Sequence, residues 1–301
     1  MITQRQQNGL SLLVLENGLL RVELAPALGG KFTSIYNQQL AKEFLWHNKS
    51  LTLEKLAPGA DYDSNFWGGI DELIPNDIPE EVNGIVYPDH GELWTTALEH
   101  IIEEDRVILT GMLPRCGLSY QKIISLQKEA PGIDVTYKIK NTSGAVRHFL
   151  WKLHAALQIA TGDRLETSAT TGEIVYPESS RFPTAGKFAW PEIEQVNVSV
   201  VPPQNKTMDF FYLSGAEEGK MSMISAGGDH RFSYQYDKAV FPYQWYFASY
   251  GQFRDHYTAI LEPATAMPVS VKEAAAAGQC SVLEPGAAIN TSITIYAGGN
   301  I

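Results

Sequence analysis

Apolar and polar residues alternate in short runs along almost the whole chain. In "LSLLVLENGLLRVELAP" two apolar runs flank Glu16-Asn17-Gly18, and Asn-Gly accepts the positive φ angles of a tight hairpin turn. "EHIIEEDRVILTGML" repeats this design around a Glu-Asp-Arg tip. "LSYQKIISLQKEAPGIDVTYKIKNTS" gives two more alternating strands around Pro131-Gly132. "KMSMISA", "FSYQYD", "PYQWYFASYG", "HYTAILEP" and "AAINTSITIYAG" continue the pattern. A period of two sends successive side chains to opposite faces of a sheet. Helical periodicity is scarce. "VKEAAAAGQC" has an alanine run without an apolar stripe, which predicts at most a short connector. Gly and Pro are spread evenly, with no linker, low-complexity block or fixed-period repeat. The pattern predicts an all-β fold: one large antiparallel β-sandwich domain over residues 1–301.

Composition narrows the partners. The chain has 301 residues, of which 44% are hydrophobic, enough for a large core. A formal net charge of −11 argues against nucleic acid and against an anionic membrane surface, and leaves a small-molecule carbohydrate open. Cys116 and Cys280 are too few for a disulfide framework, which suits two free thiols in a cytoplasmic protein. "MITQRQQNG" has no apolar signal core. No stretch approaches the roughly 20 apolar residues of a membrane helix. Sequons at 141–143, 197–199 and 205–207 are incidental on that reading. The expected state is a monomer or homodimer.

Several stretches carry candidate chemistry. In "AVRHFLWKLHAALQI", an extended chain puts Phe149, Trp151, Leu153 and Ala155 on one face, which reads as core. His148, Leu150, Lys152 and His154 share the other, which is either a solvated face or the floor of a polar cleft. In "DHYTAILEPATAMP", Glu262 stands at a strand end before Pro263. A carboxylate there is most often simply solvated. Upstream, Tyr243, Trp245 and Phe247 share a face, as core or as a platform for a pyranose ring. "GIVYPDHGELW" holds His90 in a turn-forming context, with Gly91 allowing a close backbone approach. Alone, it is more often a surface turn.

The order of these stretches is more specific than any one of them. "LRVELAPALGGKFTSIYNQQLAKEFLW", "DHGELW", "WKLHAAL", "LEPATA" and "LEPGAAINTSITIYAG" follow one another in an order that resembles the aldose 1-epimerase (galactose mutarotase-like) superfamily. The resemblance covers nearly the whole chain. It implies a galactose mutarotase-like supersandwich and interconversion of the α and β anomers of a free sugar or sugar phosphate, with no metal or organic cofactor. His90 then matches the family's His-Gly histidine, His154 its central-strand histidine and Glu262 its late glutamate. Glu262 would be the base, protonated His154 the acid toward the ring oxygen, and His90 would help hold the sugar.

Further residues follow from the same comparison. The family's sugar-binding arginine has no counterpart in "FWGGIDELIPND", where Glu72, Asn76 and Asp77 are the polar candidates. Glu92 stands where the family usually has a second glycine. Asp237 falls where the family has a sugar-binding aspartate, and Trp245 is a stacking candidate. Lys152 could meet a phosphate. The alternative is a non-catalytic carbohydrate-binding protein of the same fold. A divalent metal on His90, His154 and Glu262 is a third reading, without support from close ligand spacing.

Overall fold

The computed structural model describes residues 1–299 as two large antiparallel sheets packed face to face. The larger has twelve strands. Its middle is formed, in spatial order, by Lys31–Asn37, Ile70–Leu73, Lys152–Gln158, Tyr257–Ala264, Tyr243–Tyr250 and Thr207–Ser214. The smaller has eight strands and is centred on His230–Tyr236, Ala288–Gly299 and Gly132–Asn141. The all-β sandwich expected from the alternating pattern is what the chain forms.

Burial along the strands separates the two sheets. Gly132–Asn141 buries and exposes alternate residues, because one face meets the core and the other meets water. Lys152–Gln158 and Tyr257–Ala264 are instead buried on both faces. One of their faces packs on the smaller sheet: Trp151, just before its strand, meets Tyr137 at 5.0 Å, and Leu153 and Leu261 are fully enclosed. Each such leucine contributes on the order of 2 kcal/mol. The other face lies under connecting loops, and this is where the polar residues Lys152, His154 and Glu262 are buried.

Local details depart from the pattern where polar side chains override it. Between Leu10–Glu16 and Leu20–Ala25, Glu16 pairs with Arg21 across a longer turn than two residues. Asn17 Oδ1 accepts the N–H groups of Leu19 and Leu20, so only Gly18 takes a positive φ, of 83°. The stretch 145–159 is not one strand. Arg147–Phe149 pairs with Ser281–Leu283, the Leu150 N–H donates to the Pro75 carbonyl, and a new strand begins at Lys152. His148 is therefore set apart from Lys152 and His154, beside Asn83 near the surface. The Glu262 strand continues through Pro263 to Ala264, so Glu262 is not at its end.

The alanine run forms a six-residue helix, Val271–Ala276, with Ser270 as its N-cap. Among the described residues no helix is long and apolar enough to cross a membrane. Cys116 and Cys280 are both free thiols.

Candidate active site

The buried polar face of the central strands forms the floor of a cavity of about 350 Å³. Lys152 and His154 are two apart on one strand and so share a face, and Glu262 comes from the neighbouring strand. The Lys152 ammonium lies 2.6 Å from Asp77 Oδ1 and 2.6 Å from Glu262 Oε2, and 4.6 Å over the Trp245 ring. Burial opposes the ammonium's charge, but the two carboxylates outweigh it and raise its pKa. Burial also pushes the Glu262 carboxyl above its ordinary value, against the pull of Lys152.

One wall is the loop of "PDHG". His90 takes a left-handed backbone conformation, φ 54°. Its N–H donates to the Asp77 carbonyl, and Asn76 Nδ2 donates to the carbonyls of Ile78 and Pro88. Gly91 is required here, since a Cβ would stand 2.2 Å from the Ile74 carbonyl oxygen. Glu92, buried behind the loop, accepts the N–H groups of Arg115 and Cys116. The Asp89 carboxylate accepts the Nδ1–H of His90 at 2.7 Å. Nε2 of His90 is then free, 3.7 Å from Asp77 Oδ1 and beyond hydrogen-bond reach of it.

Tyr62 closes the corner between the two histidines. Its ring stacks on His90 at 4.1 Å, and its hydroxyl lies 3.3 Å from His154 Nδ1. The same hydroxyl donates to Asp71 Oδ2 at 2.8 Å, which Lys31 also reaches at 2.8 Å. Burial and the nearby charges of Lys152, His90 and Lys31 push the His154 pKa well below its ordinary value. His154 is thus a neutral imidazole at neutral pH, whereas the family role carried over to it requires a protonated one.

The rest of the lining is largely apolar: Phe66, Met208, Phe210, Phe247, Phe253 and Ile260, with half-exposed Tyr176. Phe247 packs edge-on against both Phe210 and Phe253, so three rings form a continuous side. Among the described residues no arginine lines the cavity.

His90, His154, Glu262 and Lys152 thus come together, while four other candidates lie elsewhere. Glu72 points to the opposite face of its strand from Asp71. There it pairs with Lys122 at 2.7 Å and accepts the Tyr137 hydroxyl, between the sheets. Trp245 is fully buried under Lys152, with its indole N–H donated to the Ala266 carbonyl. Asp237 lies in a separate groove beside the smaller sheet and accepts the Ala239 N–H. Asn76 braces the two loops and does not line the cavity. Of the polar candidates in "FWGGIDELIPND", Asp77 does line the cavity, and Asp89 joins it from beside His90. Tyr62 had no signal at all. Among the described residues no group of three His, Cys, Asp or Glu side chains is placed to hold a metal ion.

No family model matches the sequence, and no curated protein sequence does. Solved structures do match in shape. A protein proposed to be an aldose 1-epimerase, from Klebsiella pneumoniae, superposes with a TM-score of 0.75 at 15% identity, over 99% of this chain and 83% of that one. A galactose mutarotase-like protein from Clostridium acetobutylicum gives 0.71 at 15% identity, over 99% and 98% of the two chains. One from Lactobacillus casei gives 0.67 at 15% identity, over 95% and 99%. The identities are low and the likeness runs the length of the chains, so the protein is a divergent chain with the galactose mutarotase-like fold.

Proposed function

We propose that the protein interconverts the α and β anomers of an unphosphorylated aldose in this cavity. The observation that supports this reading is that Glu262 and two histidines, drawn from three distant parts of the chain, line one cavity large enough for a monosaccharide. The Glu262 carboxylate takes the proton from the anomeric hydroxyl O1. As the C1–O1 bond becomes a carbonyl, the bond from C1 to the ring oxygen breaks and that oxygen takes a proton from an acid. Rotation about C1–C2 presents the other carbonyl face, and the two proton transfers reverse as the ring closes.

The acid in this scheme is His90, not His154. His90 has Nδ1 fixed by Asp89 and Nε2 free toward the cavity, the arrangement that lets one imidazole nitrogen accept and return a proton. Neutral His154 supplies an acceptor for a sugar hydroxyl. Lys152 is already shared by two carboxylates. Asp63, Asp77, Asp89 and Glu262 give the lining an acidic balance, which disfavours a phosphate. The aromatic side suits the apolar face of a pyranose.

Polarimetry of freshly dissolved α-anomers of glucose, galactose and other aldoses, with their 6-phosphates alongside, tests the reading. Faster equilibration of an unphosphorylated sugar, lost in Glu262→Gln and in His90→Asn, is the expected result. Buffer rates for every sugar overturn the reading, and sugar binding by calorimetry at those same rates would favour a non-catalytic carbohydrate-binding role.

A further inference from the structure

Tyr62, which comes from a loop, touches both histidines of the cavity. Its hydroxyl has one hydrogen, and the 2.8 Å contact to Asp71 Oδ2 takes it, since a carboxylate beside Lys31 only accepts. The 3.3 Å contact to His154 Nδ1 then runs the other way, with Nδ1–H donating to the tyrosine oxygen. In a neutral imidazole that leaves Nε2 bare and able only to accept. The Tyr62 ring lies nearly parallel to His90, 13° between planes, and the Tyr62 N–H donates to Asp89 Oδ2. Asp89 Oδ1 is the group that holds His90 Nδ1.

We propose that Tyr62 is a positioning residue that sets the tautomer of His154 through its hydroxyl and the plane of His90 through its ring, fixing which histidine accepts and which transfers a proton. The proposal rests on the anomer-interconverting reading for its kinetic consequence, but not for its structural one. Tyr62 does not need to touch the reacting atoms. The hydroxyl is buried, and burial together with Asp71 keeps it protonated by raising its pKa well above the ordinary value. The charged and titratable groups facing the two histidines are Lys31 and Asp71 from neighbouring strands, Lys152 and Glu262 from the floor, and Asp63, Asp77 and Asp89 from the loops. None of these contacts both imidazoles through its own side chain as Tyr62 does.

Two variants separate the functions of the ring and the hydroxyl. Tyr62→Phe keeps the stack and removes the oxygen. Tyr62→Leu removes both. The readout is the nitrogen-15 spectrum of the side-chain imidazoles in the full-length protein, without any sugar, assigned with His154→Asn and His90→Asn. In wild type, His154 should carry its proton on Nδ1. In Tyr62→Phe, that proton should redistribute toward Nε2 while the His90 signals stay in place. In Tyr62→Leu, the His90 signals should move as well. Unchanged His154 signals in Tyr62→Phe, or unchanged His90 signals in Tyr62→Leu, overturn the proposal. Backbone amide spectra report whether each variant is folded.

Where a sugar is turned over, KM should rise in Tyr62→Phe with kcat little changed, because His154 holds a sugar hydroxyl. In Tyr62→Leu, where His90 is released as well, kcat should fall by roughly tenfold or more, part of the roughly 10²–10⁴ a general acid contributes. A wild-type KM in Tyr62→Phe, or a wild-type kcat in Tyr62→Leu, would contradict the positioning role. Absence of turnover in wild type would instead sink the proposed function and leave the spectra to decide on Tyr62.

Discussion

Replacing Lys152 by Met removes one ammonium and strands two carboxylates. Asp77 and Glu262 are each almost fully buried, and both lean on the same Nζ at 2.6 Å. Charges about 4 Å apart at an effective dielectric near 20 attract by about 4 kcal/mol. At 1.36 kcal/mol per pH unit, that corresponds to a rise in the Glu262 pKa of about three units on losing Lys152. Burial already holds Glu262 above its ordinary value, and losing Lys152 pushes it further in the same direction. A carboxylate is a base only when deprotonated. On the anomer-interconverting reading, the Lys152→Met variant should therefore be slowed at neutral pH and regain rate as pH rises, its base limb displaced upward. Stability should also fall, by about 3–5 kcal/mol for a buried pair that loses one member. Polarimetric rates against pH, corrected for buffer, give the limb, and urea melts give the stability. A base limb at the wild-type pH in a folded Lys152→Met protein would show that Lys152 does not govern Glu262.

Three further outcomes follow from the packing. Because the folded His154 pKa lies below its ordinary value of 6.5, the unfolded chain takes up a proton there that the native ring refuses. Its penalty is absent above that value and grows as pH falls below it, by up to about 1.4 kcal/mol per pH unit. His154→Asn should flatten the acid decline of stability in urea melts, though not abolish it, since burial also lowers His47 and His256; an unaltered slope would count against a neutral His154. Gly91→Ala should destabilise far more than Gly84→Ala. Both have φ near 80°, but the new Cβ meets the Ile74 carbonyl only at Gly91, so the left-handed penalty of about 1–3 kcal/mol is joined by a clash. Equal losses in the two would remove the clash as the reason for the glycine. Lys122→Met should cost about 3–5 kcal/mol by leaving Glu72 unpaired between the sheets, and Lys122→Met with Glu72→Leu should recover much of it; a double variant weaker than the single one would argue that the pair is net stabilising.

The sandwich was legible because alternation along a strand follows directly from which face meets water. Gly132–Asn141 is the clear case. The central strands obey no such rule, since both faces of Lys152–Gln158 are covered. There the sequence showed polar residues on one face and left open whether water or a cavity met them. The same alternation places Asp71 and Glu72 on opposite sides of one strand, with only Asp71 on the side of Tyr62 and His154. Sequence spacing alone does not say which of two adjacent acids faces the site. Trp245 illustrates a different limit: it is on the expected face, but Lys152 covers it. Tyr62 sits in the irregular stretch between Lys55 and Phe66, where no periodicity fixes a side chain's direction, and its contacts arise only from tertiary packing. The role of His154 turned on burial and on its neighbours Lys152, His90 and Lys31, which no local motif encodes.

Exchange between anomers at equilibrium is the most direct observable. Selective inversion of the α-anomeric proton of each aldose, followed by detection of the transfer to the β-anomeric proton in nuclear magnetic resonance, measures interconversion without net reaction. Transfer well above the buffer rate for at least one unphosphorylated aldose, absent in Glu262→Gln while that variant still binds the sugar, is the result predicted. Transfer at the buffer rate for every aldose, or undiminished transfer in Glu262→Gln, would contradict it.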